Sequence, residues 1–141
     1  MRKNIEELVS MIRSIEKVEI IAMTTNAVLL YSLAEKLKNA GLDSINISLD
    51  TLDSERYKHI TRGGNIDDAV KGINKASDLG FKLKINTVVY DDKSREELPL
   101  LRDFAKTVNA ELQTIQCYDI NKQKRTLWNM TDLQNVNTAI E

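Results

Sequence analysis

The sequence predicts an α/β fold built as a partial (β/α) barrel, with about four parallel strands and flanking helices, and three observations predict it. Short apolar runs of strand length alternate with segments of helical spacing along the chain. The segments between strands are helix-length crossovers instead of hairpin turns, which demands parallel pairing. Two strands are apolar on one face only. A parallel sheet covered on both faces would be apolar throughout, so one face of this sheet turns to water or to a ligand, as in an open or partly filled barrel.

Taken in order, Ile5, Leu8, Val9, Ile12 and Ile15 carry helical spacing, with Asn4 placed to cap and Glu7 three residues later to complete a capping box. Val18 to Thr24 is an apolar run of strand length ending in the polar cluster Thr24-Thr25-Asn26. Leu30, Leu33 and Leu37 return to helical spacing, and Gly41 is positioned as the left-handed cap. Ser44 to Asp50 reads as a second strand. Ile66, Ala69, Val70, Ile73 and Ala76 mark a helix stopped by Gly80, and Lys82 to Tyr90 is a third strand. A fourth helical stretch runs to about Val108; Pro99 belongs in a first turn, so the regular part starts near it, with Ser94 to Leu98 as lead-in. Glu111 to Tyr118 is a fourth strand. A polar, Lys- and Asn-rich stretch follows, then a short helix from about Thr131. The expected division is therefore 1–120 as the partial barrel and 121–141 as a polar tail, where Trp128 and Met130 read as core packing or an interface anchor.

Composition bounds the function. Twenty basic and 21 acidic residues leave a net charge of −1, with the signs interspersed, which argues against a nucleic-acid or anionic-membrane surface. No apolar run approaches the roughly 18 residues of a membrane span, and the N-terminus leads into an amphipathic pattern, so the chain reads as cytoplasmic. A single cysteine, Cys117, cannot supply the three or four thiolates of an iron–sulfur cluster or structural zinc. The lone His59 lies in a polar stretch and reads as solvated.

Alternate side chains of a strand face opposite sides. In the second strand Ile45, Ile47 and Leu49 share one face while Asn46, Ser48 and Asp50 share the other; in the third, Leu83, Ile85 and Val89 oppose Lys82, Lys84 and Asn86. With Thr24 ending the first strand and Gln116 on the inner face of the fourth, Thr24, Asn46, Ser48, Asp50, Lys84, Asn86 and Gln116 converge on one cavity, most of them near strand C-terminal ends, where parallel folds bind ligands. The alternative is the polar rim of a solvated sheet face. Lys84 favours the cavity, because an inward lysine is costly to bury without an anionic partner such as phosphate.

Four motifs occur in order: Thr24-Thr25-Asn26, Asn46-Ile47-Ser48-Leu49-Asp50, Asp53-Ser54-Glu55-Arg56-Tyr57 and Lys84-Ile85-Asn86-Thr87-Val88-Val89. On these residues the chain, from Arg2 to about Tyr118, resembles the radical-SAM GTP 3',8-cyclases of molybdenum-cofactor biosynthesis. The resemblance implies a six-stranded partial TIM barrel of which this chain supplies the third to sixth strands, contact of Thr24 and Lys84 with GTP, and contact of Ser48 with S-adenosylmethionine. Asn26, Asp50 and Asn86 match the motifs and would line the same cavity. Structural readings stand beside these roles: a strand-end hydroxyl for Thr24, close packing for Ser48, and Lys84 snorkelling to solvent.

The resemblance also implies cofactors, S-adenosylmethionine and 4Fe–4S clusters, whose cysteine motifs would lie outside this chain. Within the matched region Ala27 stands where the family usually has glycine, and Ile115-Gln116-Cys117-Tyr118 where it has Ile-Glu-Phe-Met, so no cofactor contact carries over to Tyr118. The expectation is a truncated relative of a GTP cyclase, without stable cluster binding and inactive alone. A non-catalytic nucleotide-binding module and a self-associating α/β module, joined through exposed sheet edges as a homo-oligomer, are the alternatives.

Overall fold

The computed structural model describes residues 4–117 and shows α1 (Ile5–Arg13), β1 (Ala22–Thr25), α2 (Leu30–Asn39), β2 (Ser44–Ser48), α3 (Ser54–Thr61), α4 (Ile66–Asp78), β3 (Lys82–Val89), α5 (Asp92–Glu96), α6 (Leu98–Thr107) and β4 (Ala110–Gln116). The last residue of the expected fourth strand, the tail, its short helix, Trp128 and Met130 lie outside the described residues. The four strands form one parallel sheet in chain order, β1-β2-β3-β4. Strands laid down in sequence order by crossovers of one hand put their helices on one face and leave the other open. This is the winding of a barrel wall, not of a doubly wound sheet.

The covered face is apolar because the strand alternation makes it so. Ile45, Ile47, Leu83 and Ile85 are buried against Leu30, Ala34 and Leu37 of α2 and Ala69, Ile73 and Ala76 of α4. α6 adds Leu101 and Ala105. Between β2 and β3 the ladder is prolonged beyond its last strand pair. The Leu49 amide donates to the Asn86 carbonyl, the buried Thr87 hydroxyl donates to the Leu49 carbonyl at 2.7 Å, and the Val88 amide donates to Asp50 Oδ1 at 2.8 Å.

Several local expectations change. Asn4 is the N-cap of α1, but its backbone is left-handed (φ 57°), and its side chain donates to the Glu7 carboxylate instead of accepting from a backbone amide. A capping side chain works from extended backbone, so no capping box forms there. α1 stops at Arg13, leaving Ile15 exposed, because Arg13 is turned to other use. Its guanidinium donates to the carbonyls of Val18, Glu19 and Gly41 and pairs with Asp43. Asp43 in turn accepts from the Ile21 amide, which holds its carboxyl below the usual aspartate range. These bonds occupy residues 18–21, so β1 begins at Ala22, later than the apolar run suggested.

The lead-in to α6 is itself helical. Asp91 caps α5 by accepting from the Ser94 amide, and Ser94 returns the bond to the Asp91 backbone amide, completing a capping box. α3 has no counterpart in the sequence reading, since only Tyr57 of its residues is buried and the apolar period is missing. It is capped by Asp53, which accepts from the Arg56 amide at 2.7 Å.

Candidate functional site

The strand register assembles the open face row by row. Thr24, Asn46, Lys84 and Glu111 are partners across all four strands, and the next row sets Ser48 beside Asn86 and Gln113. Adjacent parallel strands lie about 4.8 Å apart, so Thr24 and Lys84 stand about 10 Å from one another, with Asn46 between them. The second row lies about 7 Å further toward the C-terminal ends of the strands. One correction follows. Gln116 pairs with Val89 and shares the face of Leu83 and Ile85, so it does not join the inward polar set. Glu111 and Gln113 take that place on β4.

The individual groups differ in how committed they are. Thr24 and Ser48 are exposed, and their hydroxyls meet no hydrogen-bond partner among the described residues. Lys84 is partly exposed, and its ammonium lies 3.3 Å from Glu111 Oε1. Asn86 is half-buried, and its Oδ1 is shut away from solvent with no donor to satisfy it. A buried acceptor without a partner costs about 1–3 kcal/mol. Asp50 is bound to the ladder through one oxygen, and Asn26 Oδ1 accepts from the Val28 amide at 3.4 Å in a turn. These two therefore shape the rim of the face through the backbone.

The turn after Thr24 is held tightly. Ala27 adopts φ 66°, a left-handed conformation that costs a residue with a Cβ about 1–2 kcal/mol. Thr25 Oγ1 accepts from the Ala27 amide, and the Ala27 carbonyl accepts from the Leu30 amide to begin α2. α4 approaches this turn at Gly72, where any side chain would run into the Ala27 carbonyl oxygen. The glycine thus lets helix and turn touch.

At the C-terminal ends of β2 and β3 a second polar cluster ties α3 to α5 and α6. Arg56 bonds Asp91 at 2.8 Å, lies 3.6 Å from the buried Glu97, and stacks 5.1 Å from the Tyr90 ring centre. The Ser94 backbone bond, with help from Arg56, brings the Asp91 carboxyl down to about 2. A surface cleft of about 540 Å³ lies elsewhere, between the N-terminal parts of α2 and α4, lined by Val28, Tyr31, Ser32, Asp68 and Lys71. None of the polar-face residues lines it. Among the described residues no group of three or more His, Cys, Asp or Glu is arranged to hold a metal ion, and no helix is long and apolar enough to cross a membrane.

Residues 1–105, which carry the first three strands of this one-way parallel sheet and most of its polar face, are matched by the family described as the Radical SAM superfamily. The chain belongs to that superfamily. Its fold is similar to that in the crystal structure of Streptococcus suis SuiB bound to S-adenosylmethionine, with a TM-score of 0.69 at 23% identity, over 96% of this chain and 30% of SuiB. Curated relatives carry the name "Probable GTP 3',8-cyclase". The protein of Methanococcus maripaludis strain S2 is 44% identical over 117 residues, covering 82% of this chain and 39% of its own length. That of Pyrococcus abyssi is 47% identical over 115 residues, covering 82% and 37%. In Methanocaldococcus jannaschii the match extends to 137 residues at 36% identity, covering 96% and 45%. The chain therefore spans less than half the length of the curated relatives it matches.

The family's two kinds of cofactor fit these residues differently. The open face has free hydroxyls on Thr24 and Ser48 and the unsatisfied Asn86 acceptor, a donor and acceptor set suited to a polar small molecule such as S-adenosylmethionine. An iron–sulfur cluster needs several thiolates, and the 141 residues contain one cysteine, the exposed Cys117. They do not fit a cluster.

Proposed function

We propose that this chain forms the nucleotide- and S-adenosylmethionine-binding wall of a GTP 3',8-cyclase of molybdenum-cofactor biosynthesis, with binding, and not the radical step, as what its own residues perform. The observation that carries the reading is the unsatisfied Asn86 acceptor on a polar face, one row beyond the row that holds Thr24 and Lys84, in a chain whose curated relatives are named for GTP cyclisation. Lys84 would take the phosphates as a point charge. Thr24, about two strand spacings away, would bond the other end of the nucleotide. Ser48, one row further on, would bond S-adenosylmethionine, with Asn86 accepting from a ligand N–H or O–H between them. Asn26 and Asp50 hold the rim.

Titration calorimetry of the 141-residue chain with GTP tests this reading. GTP binding is expected, and Lys84→Met is expected to weaken it about tenfold or more, the usual loss when one partner of a charge-assisted bond is removed. Absence of heat with GTP from the folded chain and from its Glu111→Gln variant alike would remove the reading.

A second reading, association of two copies, is favoured by the sheet edges: the outer sides of β1 and β4 have no strand partner among the described residues. Unpaired edges invite a second chain. Sedimentation is expected to show dimer growing with concentration, and monomer throughout would count against it.

A further inference from the structure

We propose that Glu111 is a specificity-determining residue of the polar face, opposing polyanionic ligands at Lys84 and so grading affinity by ligand charge. The proposal rests on the reading of Lys84 as the phosphate-binding group. Its basis is the first row of the face, where Glu111 of the edge strand β4 is the register partner of Lys84 and its Oε1 lies 3.3 Å from the ammonium. Lys84 is 36% and Glu111 62% exposed, so the pair is not a buried structural bridge. Exposed ion pairs contribute little to stability. What the carboxylate does change is the field at the ammonium. A phosphate reaching Lys84 from the open side meets the Glu111 charge within about one strand spacing. It must either displace that carboxylate or bind beside it against repulsion.

The opposition grows with the negative charge of the ligand and vanishes for a neutral one. Gln113, the next β4 residue on the same face, is uncharged, and Thr24 and Asn46, the other members of the Lys84 row, are uncharged as well. Glu111 is therefore the acidic residue of that row. Asp50 lies further along the face and has one oxygen committed to the Val88 amide.

The test is calorimetric titration of the wild-type chain, Glu111→Gln, Lys84→Met and the double variant with GTP and with guanosine, at low and high salt. Glu111→Gln is expected to bind GTP about three- to tenfold more tightly than wild type at low salt, the gain shrinking as salt screens the charges. Guanosine affinity should be the same in both proteins, and the gain should be absent when Lys84 is methionine. Thermal unfolding should leave Glu111→Gln level with wild type. Equal or weaker GTP binding by Glu111→Gln, with wild type still binding, overturns the proposal alone, because the carboxylate would then orient Lys84 or be idle. No GTP binding by any of the four proteins overturns both this proposal and the reading beneath it. Binding by Glu111→Gln but not by wild type supports both.

Discussion

Replacing Arg56 with alanine is expected to lower the unfolding free energy by about 3 kcal/mol, the loss typical of removing the cation from a buried carboxylate. Glu97, at the junction of α5 and α6, is 5% exposed, and neither of its carboxylate oxygens has a hydrogen-bond partner. The positive charge that offsets its burial is the Arg56 guanidinium, at 3.6 Å. Arg56 also bonds Asp91, the cap of α5, and lies against Tyr90, so one side chain of α3 holds the start of two later helices. Urea unfolding followed by circular dichroism measures the loss. The double change Arg56→Met with Glu97→Met should cost less than Arg56→Ala, since no buried charge is left unpaired. A midpoint for Arg56→Ala within error of wild type would show that water, and not Arg56, solvates Glu97.

Gly72→Ala is expected to destabilise the chain by about 2 kcal/mol although alanine is the better helix former. A Cβ on Gly72 would stand 2.2 Å from the Ala27 carbonyl oxygen and 3.0 Å from Leu30 Cβ. The near atom is backbone, so the 25–30 turn itself must move. Overpacking of this kind costs about 1–3 kcal/mol, or more where backbone must shift, and the helix-propensity gain of about 1 kcal/mol offsets only part of it. Because the turn directly follows Thr24, GTP binding should weaken as well. Adding Ala27→Gly should restore part of the stability, since glycine tolerates the left-handed backbone and gives the turn room to adjust. Gly72→Ala as stable as wild type would mean that α4 and the turn can separate at no cost.

Much of the fold was legible because period-two alternation is strong in β2 and β3. Ile45, Ile47, Leu83 and Ile85 are buried and Asn46, Lys84 and Asn86 lie on the open face, as the pattern required. Gly41 and Gly80 do adopt positive φ at helix ends. β4 was misread for a physical reason. Glu111, Gln113, Thr114 and Gln116 put polar residues on both of its faces, so alternation alone cannot choose the inward one, and only the register with β3 does. α3 escaped notice because a helix held by Tyr57, a cap and Arg56 has no apolar stripe to reveal it. The contact of Gly72 with Ala27 joins residues 45 positions apart in chain order and carries no local signal.

The central claim, that the polar face and not the helix-lined cleft is where a nucleotide binds, is tested most directly by nuclear magnetic resonance of the isotope-labelled chain titrated with GTP. The claim predicts shifts at the amides of Thr24, Asn46, Ser48 and Lys84 and at the side-chain amides of Asn46 and Asn86. Shifts confined to Val28, Tyr31, Ser32, Asp68 and Lys71 would contradict it.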